Sequence, residues 1–395
     1  MRILYATYWG INEGLSVATS QANLRLLAAY PQVQSIDYVT IERSQTPIQP
    51  LFAAERVNWK PIYSRNYKIH FFNKINDIFL IRKVLLKLTK SNNYDIIIFR
   101  GAIMAMFAYW LKKHSKAKLG LESYEPHAAY MLESGVWKSH SLFYKVQLYY
   151  ENLIKPRADF LHTVTENYKT HLVENEQIAK EKISVSPCWV QLDKFVFSPP
   201  KRKKIRTELG CTNTTVGIYV GKFGSIYYDE EAFQLFKAAF DFFDNFFLIL
   251  LSPDDTNLLK IKLKKAQIPL ERAFIKLARH DEISAYLSAA DFAFSPIKVA
   301  PVRRFCSPIK DGEYWACGLP ILIPAGVGDD SDIVKAENGG AVIDVNNPQN
   351  IRQGLKIIAQ IVQKENYRAE IREIALRHRG ENWQKNVYDR LILGS

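Results

Sequence analysis

The sequence predicts an α/β protein made of two doubly wound parallel sheets, each in a domain of its own. Its 395 residues exceed the length of one domain of about 150 residues by a factor of roughly two to three. Short apolar runs alternate with longer helix-like stretches along the whole chain, a pattern typical of parallel sheets covered by helices. With 48% hydrophobic and 24% charged residues, the composition excludes disordered and fibrous proteins.

The first alternating series predicts an N-terminal Rossmann-like domain over residues 1–190. Its strands are predicted at 3–6, 36–41, 96–99, 118–121, 160–164 and 183–185, and its helices near 15–29, 75–89, 102–114, 139–156 and 166–174. Ligands of such domains bind at the carboxyl ends of the strands. The loops that follow these strands are therefore the places where a site is expected.

A break in the alternation predicts the domain linker at residues 191–215. This stretch combines a Pro-Pro pair, the basic run 201–204 and several threonines, a composition typical of a loop. The basic run also resembles a nuclear or nucleic-acid signal. A solvated linker explains the same residues more simply.

The second alternating series predicts a C-terminal Rossmann-like domain over residues 216–378. Its strands are predicted at 216–220, 246–251, 274–276, 292–294, 320–323 and 341–345, and its helices near 230–241, 254–266, 281–289, 310–316, 331–337 and 349–363. Residues 379–395 are expected to form a final helix that packs back toward the N-terminal domain.

The cysteines and the apolar runs bear on where the protein works. The spacings between Cys188, Cys211, Cys306 and Cys317 fit neither a disulfide framework nor a CxxC site. The first residues lack the order of a signal peptide, and no apolar run approaches the ~20 residues of a membrane span. We therefore expect a protein of the cytoplasm.

The most informative segment is 306–323, with the sequence CSPIKDGEYWACGLPILI. A Ser-Pro turn leads into a short helix, whose N-terminal N–H groups can bind a diphosphate, and Lys310 adds a full positive charge. Glu313 lies three residues later on the same helical face, where its carboxylate can accept both hydroxyls of a ribose. The alternative is a capping turn with an exposed ion pair worth about 0.3 kcal/mol.

This segment, with the Gly-Val-Gly turn that follows it, resembles the donor-binding signature of the retaining GT-B glycosyltransferases of family four. The loop 219–224, YVGKFG, is similar to the first loop of that family's C-terminal domain, and the chain layout agrees over essentially its whole length. The resemblance implies two Rossmann-like domains facing a central cleft, with a nucleotide-diphosphate sugar as donor. It also implies that Lys222, Lys310 and Ser307 contact the diphosphate and that Glu313 binds the ribose.

The sequence departs from the family pattern at two places. Phe305 stands where the family has a glutamate that reaches the donor sugar, so the identity of the sugar stays open. Residues 225–228, SIYY, stand where many relatives have a second basic residue. That charge can instead come from Lys310 or from the arginines at 303 and 304.

In the first domain, candidate residues follow the first and the fourth predicted strands. Gly14 lies in the turn after the first strand, where a glycine allows a backbone to approach the donor phosphate or the acceptor; an ordinary strand-to-helix turn is the alternative. His127 lies in the loop after strand 118–121 and resembles the family's histidine near the reacting sugar. Glu125 either orients an acceptor hydroxyl or caps the next helix.

Other polar motifs are weaker. Asp330 and Asp332 have the DxD form of metal-dependent glycosyltransferases, although helix capping explains them more simply. Arg279 and Lys276 follow a predicted strand near the expected nucleotide base. The histidines lack zinc-site spacing, and the resemblance implies transfer without a metal or another cofactor.

A local excess of positive charge suggests the nature of the acceptor. Residues 51–120 hold 14 basic and 3 acidic side chains, out of a net charge of +13 for the chain. Basic surfaces gain about 1 kcal/mol per residue beside anionic lipid. We therefore expect a glycan or polyprenyl-linked glycan acceptor at the inner membrane face, with a solvated basic surface as the alternative.

Two other functions are alternatives. A nucleotide-sugar 2-epimerase on the same fold needs the same cradle but also several catalytic carboxylates, of which only Glu122 and Glu125 are evident. A nucleic-acid-binding protein would explain the basic segment and not the segment 306–323. The sequence thus favours a retaining glycosyltransferase of surface polysaccharide or glycoconjugate synthesis, without a nucleic-acid partner.

Overall fold

Parallel strands joined by helices make up both halves of the chain. In this computed structural model, the described residues are 1–44, 47–64, 70–122 and 125–394, without the side chains of 18 and 70–75. The chain divides into two compact units. The N-terminal unit is Met1–Ser186 together with the segment that begins at Gln384, and the C-terminal unit is Pro187–Trp383.

The N-terminal unit contains a parallel sheet of seven strands in the order β3-β2-β1-β4-β5-β6-β7. Because the order reverses between β1 and β4, the carboxyl ends of these two strands flank the crevice where ligands of such sheets bind. The strands are β1 Arg2–Thr7, β2 Ser35–Glu42, β3 Val57–Tyr63, β4 Ile96–Arg100, β5 Lys118–Glu122, β6 Phe160–Thr163 and β7 Ile183–Val185.

Helices cover this sheet. A π-helical turn at Ser16–Ser20 precedes the first of them, and the hydroxyl of Thr165 caps the seventh by accepting the N–H of Tyr168 at 3.1 Å. The helices are α1 Gln21–Ala28, α2 His70–Ser91, α3 Ala102–Ala105, α4 Ala108–Lys112, α5 His127–Glu133, α6 Leu142–Ile154 and α7 Glu166–Glu174.

The C-terminal unit contains a parallel sheet of six strands in the order β10-β9-β8-β11-β12-β13. The strands are β8 Thr215–Val220, β9 Phe246–Leu251, β10 Ala273–Lys276, β11 Phe292–Phe294, β12 Ile321–Pro324 and β13 Gly340–Ile343. The helices are α8 Pro199–Glu208, α9 Glu230–Phe242, α10 Thr256–Lys265, α11 His280–Ala289, α12 Ile309–Ala316, α13 Asp330–Glu337, α14 Pro348–Val362 and α15 Tyr367–His378. The last helix, α16 Asn382–Ile392, belongs from Gln384 onward to the N-terminal unit. Apolar cores lie on both faces of the sheet, as expected where helices cover both sides.

Helix α8 occupies the segment predicted as a linker. Arg202 and Arg206 each pair with Asp291 at 2.6 Å, and both donate to the last carbonyls of α11. Cations near a helix C-terminus complement its dipole. The basic run 201–204 is therefore part of a helix anchored within the C-terminal unit, rather than a solvated connection.

Helix α16 packs in the N-terminal unit. The Tyr388 hydroxyl donates to Glu122 at 2.8 Å, and the Tyr30 hydroxyl donates to Asp389 at 2.8 Å. Arg390 donates to the Ser184 hydroxyl at 2.6 Å. Across the described ranges, no helix has both the length and the apolar character that a membrane span requires.

Candidate active site

The end of β8 and the start of α12 meet at Gly221. The Lys310 ammonium lies so close to this glycine that a Cβ built there would fall 2.1 Å from Nζ. Gly221 also has a φ of +146°, in the region that side-chain-bearing residues avoid. The backbone conformation therefore favours glycine at this position, and the absence of a Cβ leaves room for the Lys310 ammonium. The structure thereby brings Lys310 to the carboxyl edge of the second sheet, beside the loop that carries Lys222.

Two tyrosine rings hold the Lys310 ammonium. Its Nζ lies 5.5 Å from the ring centre of Tyr219 and 4.1 Å from that of Tyr227, both within the range of cation–π attraction. The Tyr219 hydroxyl donates to the Lys222 carbonyl at 2.5 Å. Neither ring is predicted from the sequence to contact Lys310, because uncharged side chains far from it in sequence carry no sign of this contact.

Lys222 lies in an exposed loop just beyond β8. The loop is fixed on one side by the Phe223 N–H, which donates to Asp254 at 2.7 Å, and turns at Gly224 with a φ of +76°. The Lys222 backbone and the Lys310 side chain both contact the Gly221–Tyr219 region. The two lysines that the sequence predicts to bind a diphosphate thus belong to one edge of one sheet.

Glu313 is held by a partner that sequence analysis did not assign to it. Its Oε1 lies 3.2 Å from His280 Nε2, and its side chain is only 7% exposed, whereas that of His280 is 50% exposed. The hydrogen bond to Glu313 raises the pKa of His280, against the opposing effect of partial burial. This contact joins the start of α11 to the middle of α12 and fixes the orientation of the Glu313 carboxylate.

Ser307 is anchored within the C-terminal unit. Its hydroxyl oxygen accepts the Cys188 N–H at 3.0 Å and a hydrogen bond from Arg379. The hydroxyl hydrogen remains as a donor for an anion. The predicted contact between Ser307 and the phosphates stays a prediction.

Behind Ser307 lies a buried group of two carboxyls and one guanidinium. Arg379 pairs with Asp330, and Asp311 lies next to Asp330 with its side chain fully enclosed. Burial raises the pKa of Asp311 to about 6, although Arg379 opposes the shift. Burial likewise raises the pKa of Asp330, and the neighbouring Asp311 adds to the effect. The single guanidinium of Arg379 therefore faces two carboxyl groups, and the negative charge on one of them makes ionisation of the other less favourable.

Replacing Asp311 with Asn should make the free energy of unfolding less dependent on pH between about 4 and 6. The folded protein keeps the Asp311 proton up to a pH of about 6, whereas the unfolded chain loses it near 3.8. The unfolded state therefore binds fewer protons in this window, and wild-type stability falls as the pH rises through it. Urea unfolding at several pH values measures the slope. Asp332→Asn, at an exposed position of α13, is the control, and equal slopes in the two variants would contradict this assignment.

Asp330 and Asp332 do not form the DxD arrangement that was considered from sequence. Asp330 is buried against Arg379, while Asp332 is exposed. Within the described part of the chain, no group of three or more His, Cys, Asp or Glu side chains is placed to hold a metal ion.

Arg279 lies one residue before His280, at the start of α11. The Arg279 guanidinium is exposed and pairs with Asp281 at 3.1 Å. The Arg279 backbone N–H donates to the Glu282 carboxylate at 2.9 Å. Lys276 pairs with Glu282 at 2.8 Å. The predicted role of Arg279 and Lys276 near the nucleotide base stays a prediction.

In the N-terminal unit, His127 begins α5. Its Nδ1 lies 3.2 Å from Glu125 Oε1, and its Nε2 is buried with no hydrogen-bond partner among the residues the structure describes. Burial of the ring disfavours protonation, but the hydrogen bond to Glu125 and the charges of Glu125 and Glu151 outweigh it and raise the pKa of His127. Glu125 thus orients the His127 ring, and Ser123 and Tyr124 of the same loop lie outside the described residues.

Gly14 has no close neighbour. It is exposed, and a Cβ added to it would meet nothing within 4 Å. In the same turn, Gly10 has a close neighbour, since a Cβ there would fall 2.7 Å from Glu42 Oε2. A role for Gly14 beside a phosphate stays a prediction.

Glu122, which follows the same strand as the His127 loop, is a structural carboxylate. It is buried and paired with Arg100 at 2.6 Å, and it accepts the hydroxyls of Tyr5 and Tyr388 at 2.8 Å each. Burial works against its ionisation, but the Arg100 charge and the hydrogen bonds prevail and lower the pKa of Glu122 to about 2. Its oxygens are therefore occupied by the fold.

Comparison with solved structures identifies the fold. Sucrose-phosphate synthase from Thermosynechococcus elongatus matches with a TM-score of 0.76 at 14% identity, over 100% of both chains. HepE from Anabaena, solved with UDP, matches with a TM-score of 0.72 at 14% identity, also over 100% of both chains. WaaG, a glycosyltransferase involved in lipopolysaccharide biosynthesis, matches with a TM-score of 0.66 at 15% identity, over 100% of both chains. These neighbours are GT-B glycosyltransferases, which confirms the predicted fold class of two Rossmann-like domains.

Neither a protein-family model nor a curated protein matches the sequence. The assignment of the GT-B fold to this chain therefore rests on the solved structures alone.

Proposed function

We propose that the protein is a retaining glycosyltransferase that moves a sugar from a nucleoside diphosphate to a glycan or polyprenyl-linked glycan. The observation that carries this proposal is the pairing on α12 of the Lys310 ammonium, held against Gly221, with the Glu313 carboxylate, held by His280. A cation and a carboxylate one helical turn apart match a diphosphate and its ribose. HepE has been solved with UDP and with UDP-glucose, which supports a donor of this chemical class.

In the proposed reaction, Lys222, Lys310 and the N–H groups at the start of α12 stabilise the charge that develops on the departing diphosphate. Such preorganised donors are worth ~3–4 kcal/mol each. The bond between the anomeric carbon and the diphosphate breaks, and the acceptor oxygen bonds to that carbon on the face from which the diphosphate leaves, so that configuration is retained. The leaving phosphate oxygen takes the proton of the acceptor hydroxyl. The proposed reaction uses no side-chain nucleophile and needs no metal.

His127 and Glu125 are proposed to act in the N-terminal unit. The buried Nε2 of His127, without a partner in the described residues, supplies a hydrogen bond to the reacting sugar, while Glu125 fixes the ring. The epimerase alternative is disfavoured, because one of its two candidate carboxylates, Glu122, is committed to Arg100 and two tyrosines.

A thermal-shift screen against nucleoside diphosphates tests the proposal most directly. A ligand at 100 times its dissociation constant stabilises the folded state by ~2.7 kcal/mol, and we expect a shift with one base above the others. Transfer from the matching nucleotide sugar should persist in EDTA. If no nucleoside diphosphate shifts the transition, the proposal fails. Activity that is lost in EDTA and restored by Mg²⁺ would overturn the metal-independent scheme.

Replacing His127 with Ala should lower turnover about ten- to a hundredfold, the loss expected for one hydrogen bond to a charged reacting group. The affinity for the nucleoside diphosphate should stay unchanged, because His127 belongs to the other unit. His140→Ala, at an exposed position of the same unit, is the matched control. Equal losses of turnover and nucleotide affinity would mean that the His127 loop has only a structural role.

Reversal of Arg82, Lys83 and Lys87 to Glu should weaken sedimentation with phosphatidylglycerol vesicles by roughly a hundredfold or more. All three side chains are exposed on α2, within the basic segment 51–120, of which residues 65–69 lie outside the described residues. Turnover of a water-soluble acceptor should be unaffected. The matched control reverses three exposed lysines of α10, which are Lys260, Lys264 and Lys265. Similar sedimentation of both variants would remove the membrane from the proposal.

A further inference from the structure

The N-terminal unit contains an apolar cavity of about 220 Å³ that the sequence did not suggest. Ile78 and Ile81 of α2 line it, together with Phe107, Trp137 and Phe143. An apolar cavity of about 150 Å³ stays dry and takes up hydrocarbon ligands. A cavity of this size and lining therefore favours a hydrocarbon over a sugar or a nucleotide.

The cavity lies where this sheet is expected to bind its ligand. Two of its lining residues are Tyr8, which follows β1 at once, and Ile103, which follows β4. The sheet order reverses between these two strands, and ligands of open α/β sheets bind at the carboxyl ends on either side of such a reversal. The cavity thus belongs to the ligand-binding edge of the N-terminal unit.

The cavity opens toward solvent at an apolar residue. Val136 lines it and is 55% exposed. An apolar ligand can therefore enter the cavity at Val136 without crossing a polar rim at that residue.

An aromatic cluster with cations over its rings adjoins the cavity, because the ring centre of Trp110 lies 5.8 Å from that of the lining residue Phe107. The ring centre of Trp110 lies 5.3 Å from that of Tyr150, and Arg82 lies 5.2 Å above Trp110. Lys113 lies 4.9 Å from the ring centre of Tyr109. Trp and Tyr favour the headgroup level of a bilayer, and the cations complement an anionic headgroup.

We propose that this cavity receives the hydrocarbon chain of the acceptor, a lipid whose chain ends in a phosphate- or diphosphate-linked headgroup. The inference rests on the proposed glycosyltransferase function and specifies its acceptor. In this proposal, the apolar walls of the cavity bind the hydrocarbon chain. Arg82 and Lys113 of the aromatic cluster bind the anionic headgroup. Asp77, whose carboxyl accepts the Ser64 hydroxyl at 2.6 Å, provides the one acidic side chain of the lining.

The test measures binding of dimethylallyl, geranyl and farnesyl diphosphate by calorimetry, with inorganic diphosphate as the headgroup alone. Affinity should rise at least about tenfold from the shortest to the longest chain, because each buried CH₂ contributes about 0.8 kcal/mol. Equal affinities for all four compounds would mean that only the diphosphate is bound, and would overturn the proposal.

Val136→Glu places a carboxylate at the opening of the cavity and should weaken farnesyl diphosphate at least about tenfold. Because Val136 is already 55% exposed, the variant should fold. Leu258→Glu makes the same change at a residue that is 58% exposed in the C-terminal unit, and should leave binding intact. Equal binding by both variants would overturn the proposal.

Three further outcomes distinguish the two proposals. Nucleoside diphosphate binding that persists in Val136→Glu, together with lost farnesyl diphosphate binding, supports both proposals. Chain-dependent binding in a protein that binds no nucleoside diphosphate would support the lipid site and reject the glycosyltransferase. Dihexanoyl phosphatidylglycerol that binds at the Val136 opening more tightly than farnesyl diphosphate would assign the cavity to a bilayer lipid and overturn the acceptor assignment.

Discussion

Replacing Lys310 with Ala should lower turnover about a hundred- to a thousandfold. The Lys310 ammonium is fixed against Gly221 and between the rings of Tyr219 and Tyr227, so it needs little reorganisation when charge develops on the leaving diphosphate. Removing one preorganised donor of this kind costs ~3–4 kcal/mol in the transition state. Nucleoside diphosphate affinity should fall less than turnover, because the interaction strengthens as the bond breaks.

The nucleoside without phosphates separates this effect from general damage to the site. Its affinity for Lys310→Ala should equal that for the wild type, since no phosphate is present for Lys310 to bind. Lys356→Ala removes a charge from an exposed position of α14 in the same unit and should change none of these quantities. If Lys310→Ala binds the nucleoside diphosphate normally and turns over normally with its fold intact, Lys310 is a surface cation without a role in transfer.

The fold could be predicted where local pattern and tertiary burial agree. Strand 246–251 is a continuous apolar run, and all six of its residues are buried, so composition alone located it. Strand β3 could not be predicted in this way, because Val57–Tyr63 contains Pro61 and only one of its residues is buried. As the edge strand of its sheet, it tolerates a residue that lacks an N–H. Helix α8 could not be predicted from its own sequence, because Arg202 and Arg206 anchor it by ion pairs with Asp291, which is far away in the sequence.

Only part of the candidate site, too, could be predicted from the sequence. Lys310 and Glu313 could be proposed from their spacing on one short helix, since residues three apart share a face. The contacts that hold them could not, because His280 lies 33 residues from Glu313 and Tyr227 reaches Lys310 only after the chain has folded. The cation–π partners also carry no charge, so an analysis of charged residues passes over them. Phe305 leaves the donor sugar open in the structure as it does in the sequence.

Replacing Glu313 with Gln should lower donor affinity about ten- to a hundredfold. Hydrogen bonds to a charged acceptor are worth ~1.5–3 kcal/mol, and the amide offers the ribose hydroxyls a neutral acceptor in place of the carboxylate. The nucleoside alone should lose affinity by a similar factor, which distinguishes Glu313 from Lys310. Calorimetric titration of the variant with the nucleoside and with its diphosphate measures both losses.

The same variant has a second signature that does not depend on any ligand. The hydrogen bond from His280 to the Glu313 carboxylate raises the pKa of His280, so Glu313→Gln should lower that pKa toward the ordinary range of histidine. An NMR titration of the His280 ring follows the change, and Glu271→Gln, at an exposed position, should leave it where it is. A lowered pKa of His280 with unchanged nucleoside affinity would show that the contact exists but that Glu313 does not bind the ribose. An unchanged pKa would show that His280 and Glu313 are not paired in solution, and the arrangement of the site would then need another partner for the buried carboxylate.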